Sequence, residues 1–154
     1  MDKTAFDKKI ESLKLLLPSA PKPAGSYHPV IVSGNTAYLS GQVSRTAEGV
    51  VLTGKLGQDL SLAEGQKAAQ AAALNVVSVI RNLIGWQRFS RLLRVTGFVQ
   101  TAPDFYEISQ VMNGASDLFL EILGEYGVHA RSAVGMASLP LNATVELEVT
   151  VELR

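Results

Sequence analysis

The segment Val145 to Arg154 constrains the fold more than any other stretch. Val145, Leu147, Val149, Val151 and Leu153 alternate with Glu146, Glu148, Thr150, Glu152 and Arg154. A period of two places the apolar set on one face of a β-strand and the carboxylates on the other. The chain must therefore build a sheet with one face in a core and one polar face. Just upstream, a second strand-forming run from Ala130 carries Arg131 as its only charge and leads to a Leu139-Pro140-Leu141-Asn142 corner. Antiparallel strands joined by a short turn at that corner would lay Arg131 close to the glutamate-bearing strand.

The rest of the chain supplies elements to cover the apolar face. Phe6, Ile10, Leu13 and Leu17 recur at helical spacing, with Thr4 placed to cap, and predict an amphipathic helix that stops before Pro18. The proline-rich stretch Pro18–Pro23 is then a stiff connector to a helix that packs on the domain or on a neighbour. Val30–Val32 and Thr36–Leu39 flank Ser33-Gly34-Asn35 and predict a hairpin, after which Ser40-Gly41-Gln42 reads as a bulge or a point of close ligand approach. A loop with Gly49, Gly54 and Gly57, expected to hold a further short strand, leads to the capping box Ser61-Leu-Ala-Glu64. An alanine-rich helix then runs to about Ile84 and ends at Gly85. Asn75 and Ser78 within it are read as surface or helix-end packing residues rather than chemical ones.

Leu92–Gln100 predicts another strand, and Pro103-Asp104-Phe105 introduces a second long helix running to Gly124. Asn113-Gly114 inside that helix has poor helix propensity, which predicts a distortion, a late start, or a polar contact made by Asn113. The sum is one domain over residues 1–154, with 1–19 as an N-terminal helical extension. Its class is α+β: a two-layer domain with a mixed sheet of five to six strands packed on two long helices.

Composition narrows the function. Fourteen Lys and Arg balance fourteen Asp and Glu, so there is no general attraction for nucleic acid or an anionic membrane. The chain has no cysteine, hence no disulfide, thiolate nucleophile or cysteine-based metal site. His28 and His129 come without a carboxylate cluster, which argues against zinc, and Ser40 and Ser132 lack an evident base. Met1-Asp2-Lys3-Thr4 does not open an apolar leader, and the expected location is the cytoplasm.

Several of these residues together resemble a known family. Gly25-Ser-Tyr27-His-Pro, Leu39-Ser-Gly-Gln42, Asn75, Asp104-Phe105, and Ala130-Arg131-Ser132 followed by Leu139-Pro140 and Val145-Glu146-Leu-Glu148 are similar to the YjgF, or Rid, family. Its members are reactive intermediate (enamine/imine) deaminases, often labelled endoribonuclease L-PSP. The likeness covers roughly residues 20 to 153, and its most specific part is the spacing of fifteen positions from Arg131 to Glu146 with Leu-Pro between. It implies a chorismate-mutase-like fold and a homotrimer with sites in clefts between subunits. It also implies hydrolysis of small 2-imino acids to 2-keto acids and ammonia, with no cofactor and no metal.

By the same resemblance Arg131 binds the substrate carboxylate and Glu146 holds the attacking water. Tyr27 and Gly41 line the pocket, and Asn113, or Ser109 under a shifted alignment, is the helix residue beside it. The family often has cysteine two residues after the arginine, where this chain has Ala133, and usually proline where it has His129. Imine hydrolysis requires no covalent enzyme intermediate, so Ala133 does not remove the chemistry. Two other readings stand beside deamination: a non-catalytic binder of 2-keto or other small carboxylic acids, and an endoribonuclease, which the balanced charge and lack of an exposed-aromatic pattern weaken.

Overall fold

The computed structural model describes residues 4–23 and 25–154. Its elements are α1 (Thr4–Ser12), β1 (Val30–Ser33), β2 (Thr36–Val43), α2 (Leu62–Val79), β3 (Phe89–Gln100), α3 (Ile108–Leu123), β4 (Ala130–Met136) and β5 (Val145–Leu153). The five strands form one mixed sheet in the order β1-β2-β5-β3-β4. β5 is antiparallel to both its neighbours, β2 and β3, whereas β3 and β4 are parallel. Two strand–helix–strand crossovers, β2-α2-β3 and β3-α3-β4, thus place both long helices on one face, and β5 slots between β2 and β3.

β5 behaves as its alternation requires: Val145, Leu147, Val149, Val151 and Leu153 are buried under the helices. The alanines of α2 let it lie close to the sheet and to α3. Gly114 carries this furthest, since a Cβ there would run into the backbone carbonyl of Gln66 on α2. That contact corrects the expected distortion at Asn113-Gly114: α3 is continuous through both residues, and the glycine serves the helix crossing. At the start of α2 the Ser61 hydroxyl accepts from the Glu64 N–H at 3.2 Å and the Glu64 carboxylate accepts from the Ser61 N–H at 2.7 Å, the reciprocal capping box. The helix widens into a π-helical turn at Ile80–Ile84 and ends at Gly85, φ 84°.

Four other expectations need correction. α1 stops at Ser12 rather than Leu17, because Lys14 adopts a left-handed conformation, φ 54°. The Leu15 N–H then bonds the Ile10 carbonyl and the Lys14 N–H the Glu11 carbonyl, a Schellman closure that ends the helix a turn before Pro18. Thr4 lies within the helix. The loop after β2 adds no sixth strand and makes only isolated bridges, such as Arg45 to Val51 and Thr53 to Ala143. Asn75 and Ser78 take the packing alternative and the surface one is corrected: both are buried, Asn75 Nδ2 donating to the carbonyls of Arg45 (2.7 Å) and Ala71 (2.9 Å), and Ser78 Oγ to that of Pro18 (2.5 Å).

α1 packs on its own chain. Phe6 sits 5.0 Å from Trp86 between ring centroids, with Phe89 and Tyr126 edge-on to it, and Asp7 pairs with Arg81 at 2.7 Å. The fourth correction matters most for the site. β4 and β5, adjacent in sequence, are not adjacent in space, because β3 runs between them.

Candidate functional site

β3 separates Arg131 from Glu146, and the pleat separates them further. Arg131 pairs in register with Val95, which in turn pairs with Val149. Val95 and Val149 are buried under the helices, so Arg131 stands on the helical side of the sheet. Glu146 pairs with Phe98 and Val43 and projects from the opposite face. The predicted residues therefore fall into two groups within one chain.

The first group surrounds Glu146. The bulge predicted at Ser40-Gly41-Gln42 is present as a register shift between Leu39 and Gln42 in the β2–β5 pairing. It brings Gly41 so close to the Glu146 carboxylate that a Cβ would overlap Oε1 and lie 3.0 Å from Cδ. Glu146, Gly41, Tyr27 and Asn75 line a cavity of about 340 Å³, one wall of which is the connector at Ser19, Pro21 and Lys22. A second hollow of about 350 Å³ adjoins it across Gly41, Pro140 and Glu146. Tyr27 is 60% exposed at the rim.

Burial pushes the Glu146 carboxyl above the ordinary carboxylate range, and Glu148, one pleat along the same face, pushes it further. Among the described residues the only ion pair within 4.0 Å is Asp7–Arg81, so Glu146 has no cation to hold it ionised. A raised, half-buried carboxylate beside a glycine-lined hollow can order a water and take a proton from it.

The corner at 139–142 walls both hollows and is held from below by Gln100, which is 1% exposed. Its Nε2 donates to Asn142 Oδ1 at 2.7 Å and to the Gly54 carbonyl at 3.2 Å, and its Oε1 accepts from the Leu139 N–H at 2.8 Å. Leu141 and Asn142 both adopt positive φ, 61° and 56°. Two successive left-handed non-glycine residues are costly and persist where the surroundings impose them.

The second group surrounds Arg131. Its Nη1 donates to Asn113 Oδ1 at 3.0 Å and to Ser116 Oγ at 3.0 Å, and its Nη2 to Ser109 Oγ at 2.8 Å and the Ser109 carbonyl at 3.4 Å. All three partners project from α3. Both residues proposed for the helix position, Asn113 and Ser109, thus touch the same guanidinium. Ser116 is a third partner that sequence reasoning missed, although it stands one helical turn after Asn113.

None of these partners is a carboxylate, so the arginine is oriented but not neutralised. Its Nε–H has no acceptor among the described residues. Arg131, Asn113, Ser116 and His129 line a hollow of about 310 Å³ whose rim carries exposed Leu120 and Val128. An uncompensated, pre-oriented guanidinium beside an open hollow is suited to an anionic group.

Two further properties bear on partners. Among the described residues no helix is long and apolar enough to cross a membrane, and no three histidine, aspartate or glutamate side chains cluster so as to hold a metal ion.

Comparison with known proteins places this architecture. The family model described as "YjgF/chorismate_mutase-like, putative endoribonuclease" matches residues 8–153. Protein TCP17 of Trypanosoma cruzi is 44% identical over 146 residues, covering 94% of this chain and 91% of that protein. A 2-iminobutanoate/2-iminopropanoate deaminase of Dermatophagoides farinae is 34% identical over 137 residues, covering 87% and 91%. The crystal structure of an Agrobacterium tumefaciens protein of unknown function superposes with a TM-score of 0.89 at 37% identity, covering 99% of this chain and 96% of that one. The match along almost the whole chain, together with the mixed five-stranded sheet under two helices, means that this protein belongs to the YjgF/Rid family.

Proposed function

We propose that the protein hydrolyses small 2-imino acids to 2-keto acids and ammonia, with no organic cofactor or metal. The observation that carries this reading is the pair of complementary half-sites: an uncompensated, oriented guanidinium at Arg131 and an unpaired carboxylate of raised pKa at Glu146. They lie on opposite faces of one sheet, so the reading requires two copies of the chain, Arg131 of one facing Glu146 of the next. A homotrimer, expected from the family resemblance, supplies three such clefts. The polar outer face of β5, together with the exposed Ile31 and Tyr38 on the same side, is then an intersubunit surface.

In the cleft the Arg131 guanidinium grips the substrate carboxylate and fixes the adjacent C=N carbon. Glu146 orders a water and accepts its proton as oxygen bonds to that carbon. Glu146, now protonated, returns the proton to the amine nitrogen of the resulting carbinolamine, and as the C–N bond breaks and ammonia leaves, the carboxylate takes the hydroxyl proton so that the C–O double bond can form. One water is consumed and one C–N double bond becomes a C–O double bond. Gly41 leaves room for the reacting carbon against the carboxylate, and Tyr27 closes the rim. The identity of 34% to an imine deaminase along nearly the whole chain supports the same chemistry.

The test generates 2-aminoacrylate with a serine dehydratase and follows pyruvate and ammonia release with and without this protein. Acceleration by the wild type is expected, with Arg131→Ala lowering kcat/KM about 100-fold from the lost charge-assisted bonds. Glu146→Gln should lower kcat by about 100-fold or more. No acceleration across several amino-acid-derived imines overturns the reading. Binding of pyruvate without turnover replaces it with a carboxylic-acid binder.

A further inference from the structure

The Arg131 half-site extends beyond the residues that touch a substrate. His129 Nδ1 lies 2.7 Å from the Gly127 carbonyl, and its Nε2 lies 2.9 Å from Ser116 Oγ. A carbonyl only accepts, so Nδ1 carries a proton. In the neutral ring Nε2 then offers a lone pair, and the Ser116 hydroxyl donates its single hydrogen there. Having given up that hydrogen, Ser116 Oγ presents only lone pairs to Arg131 Nη1, 3.0 Å away. The hydrogen bonds run in one direction: Arg131 to Ser116, Ser116 to His129, His129 to Gly127.

The far end of this chain is rigid. Gly127 closes the short 3-10 turn after α3, and a Cβ there would meet the Phe119 backbone at 2.8 Å from its carbonyl carbon. Phe119 itself, fully buried, stands edge-on to the His129 ring at 5.9 Å. Neither Ser116 nor His129 faces the Glu146 hollow, and neither lies on the guanidinium edge that carries the unpartnered Nε–H.

We propose that Ser116 and His129 are positioning residues for Arg131: the Gly127 carbonyl fixes the histidine tautomer, the histidine fixes the serine hydroxyl, and the serine anchors Nη1. This leaves the Nε–H, beside an Nη2 that Ser109 already engages, for an incoming carboxylate. Anchoring one end lowers the ordering cost of binding at the other. The role in substrate binding rests on the carboxylate-clamp reading above, whereas the hydrogen-bond relay stands in the ligand-free protein.

Two measurements test it. Pyruvate titration of the wild type, Ser116→Ala, His129→Phe and the double variant should show about a fivefold to tenfold rise in Kd for each single change. His129→Phe keeps a ring against Phe119 but has no nitrogen, and His129→Gln, which can still accept from Ser116, should restore most of the affinity. The double variant should be no weaker than either single one, because both break the same relay. Wild-type affinity in His129→Phe, or additive losses in the double variant, overturns the proposal.

The second measurement needs no ligand. Nitrogen-15 spectra of the histidine rings at about pH 8, where an ordinary imidazole is neutral, should show His129 protonated at Nδ1 and bare at Nε2. The Arg131 Nη resonances should be resolved and slow to exchange in the wild type and averaged in His129→Phe. A ring protonated at Nε2, or Arg131 signals unchanged by the substitution, overturns the relay even if pyruvate proves not to bind. Absent pyruvate binding with the expected spectra instead rejects the clamp and leaves the relay standing.

Discussion

Glu146 sets the expected pH dependence. In the proposed reaction it takes a proton from water and must be ionised, so activity should fall as pH drops through its pKa. Burial and Glu148 both raise that pKa, which puts the acid limb of the kcat/KM profile above the usual glutamate value of about 4.3. Glu148→Gln removes one like charge and should move the limb to lower pH while leaving the alkaline side in place. A limb that does not move would mean that Glu148 is not felt at the reacting carboxylate. Gly41→Ala tests the same contact sterically: the methyl would occupy the space of the Glu146 carboxylate, and kcat should fall at least tenfold with little change in Tm. Much of this was legible beforehand. The bulge glycine, the interval from Arg131 to Glu146 and the polar contact of Asn113 all follow from local sequence or family likeness. Ser116 was not, since a serine on a helix gives no sign of its partner until the strand beside it is known.

Among the elements, sequence fails where a distant segment decides. Propensity alone makes Gly114 a defect in α3, and replacing it with alanine should then gain about 1 kcal/mol. The Gln66 carbonyl reverses that sign, because a methyl group must push two packed helices apart, at about 1–3 kcal/mol for overpacking. Urea unfolding of Gly114→Ala should therefore show a net loss of up to about 2 kcal/mol, and a gain would contradict the close crossing of α2 and α3. Lys14 gives the opposite case. Held at φ 54° where glycine is the usual residue, it should give a protein about 1 kcal/mol more stable on Lys14→Gly, with α1 ending where it does now. The capping box and the stop at Gly85 were readable because both signals lie within a few residues of the helix ends they set. The early stop of α1 was not, since nothing in a lysine announces a left-handed turn.

For the whole molecule, the strand order is what local patterns could not supply. The Leu139–Asn142 corner looks like a hairpin turn, yet it carries the chain across β3, so β4 and β5 end on opposite sides of that strand. β3 separates the carboxylate and the guanidinium and the pleat turns them to opposite faces, so the proposed site needs a second copy to bring them together. This arrangement makes a prediction that no single-chain site shares. Arg131→Ala and Glu146→Gln should each be inactive alone, yet unfolding and refolding them together as a mixture should restore activity. A cleft that draws Arg131 from one chain and Glu146 from its neighbour is intact whenever the first is the Glu146→Gln variant and the second the Arg131→Ala variant. With random assembly of a closed ring from equal amounts, that holds for about one cleft in four, so about a quarter of wild-type activity should return. A mixture as inactive as its components, in particles shown by mass to be mixed oligomers, would place both residues in the same chain's site and reject the intersubunit cleft. Recovery near a quarter would fix the pairing of the two half-sites across the interface, because restored folding within either single variant leaves its own substituted residue in place.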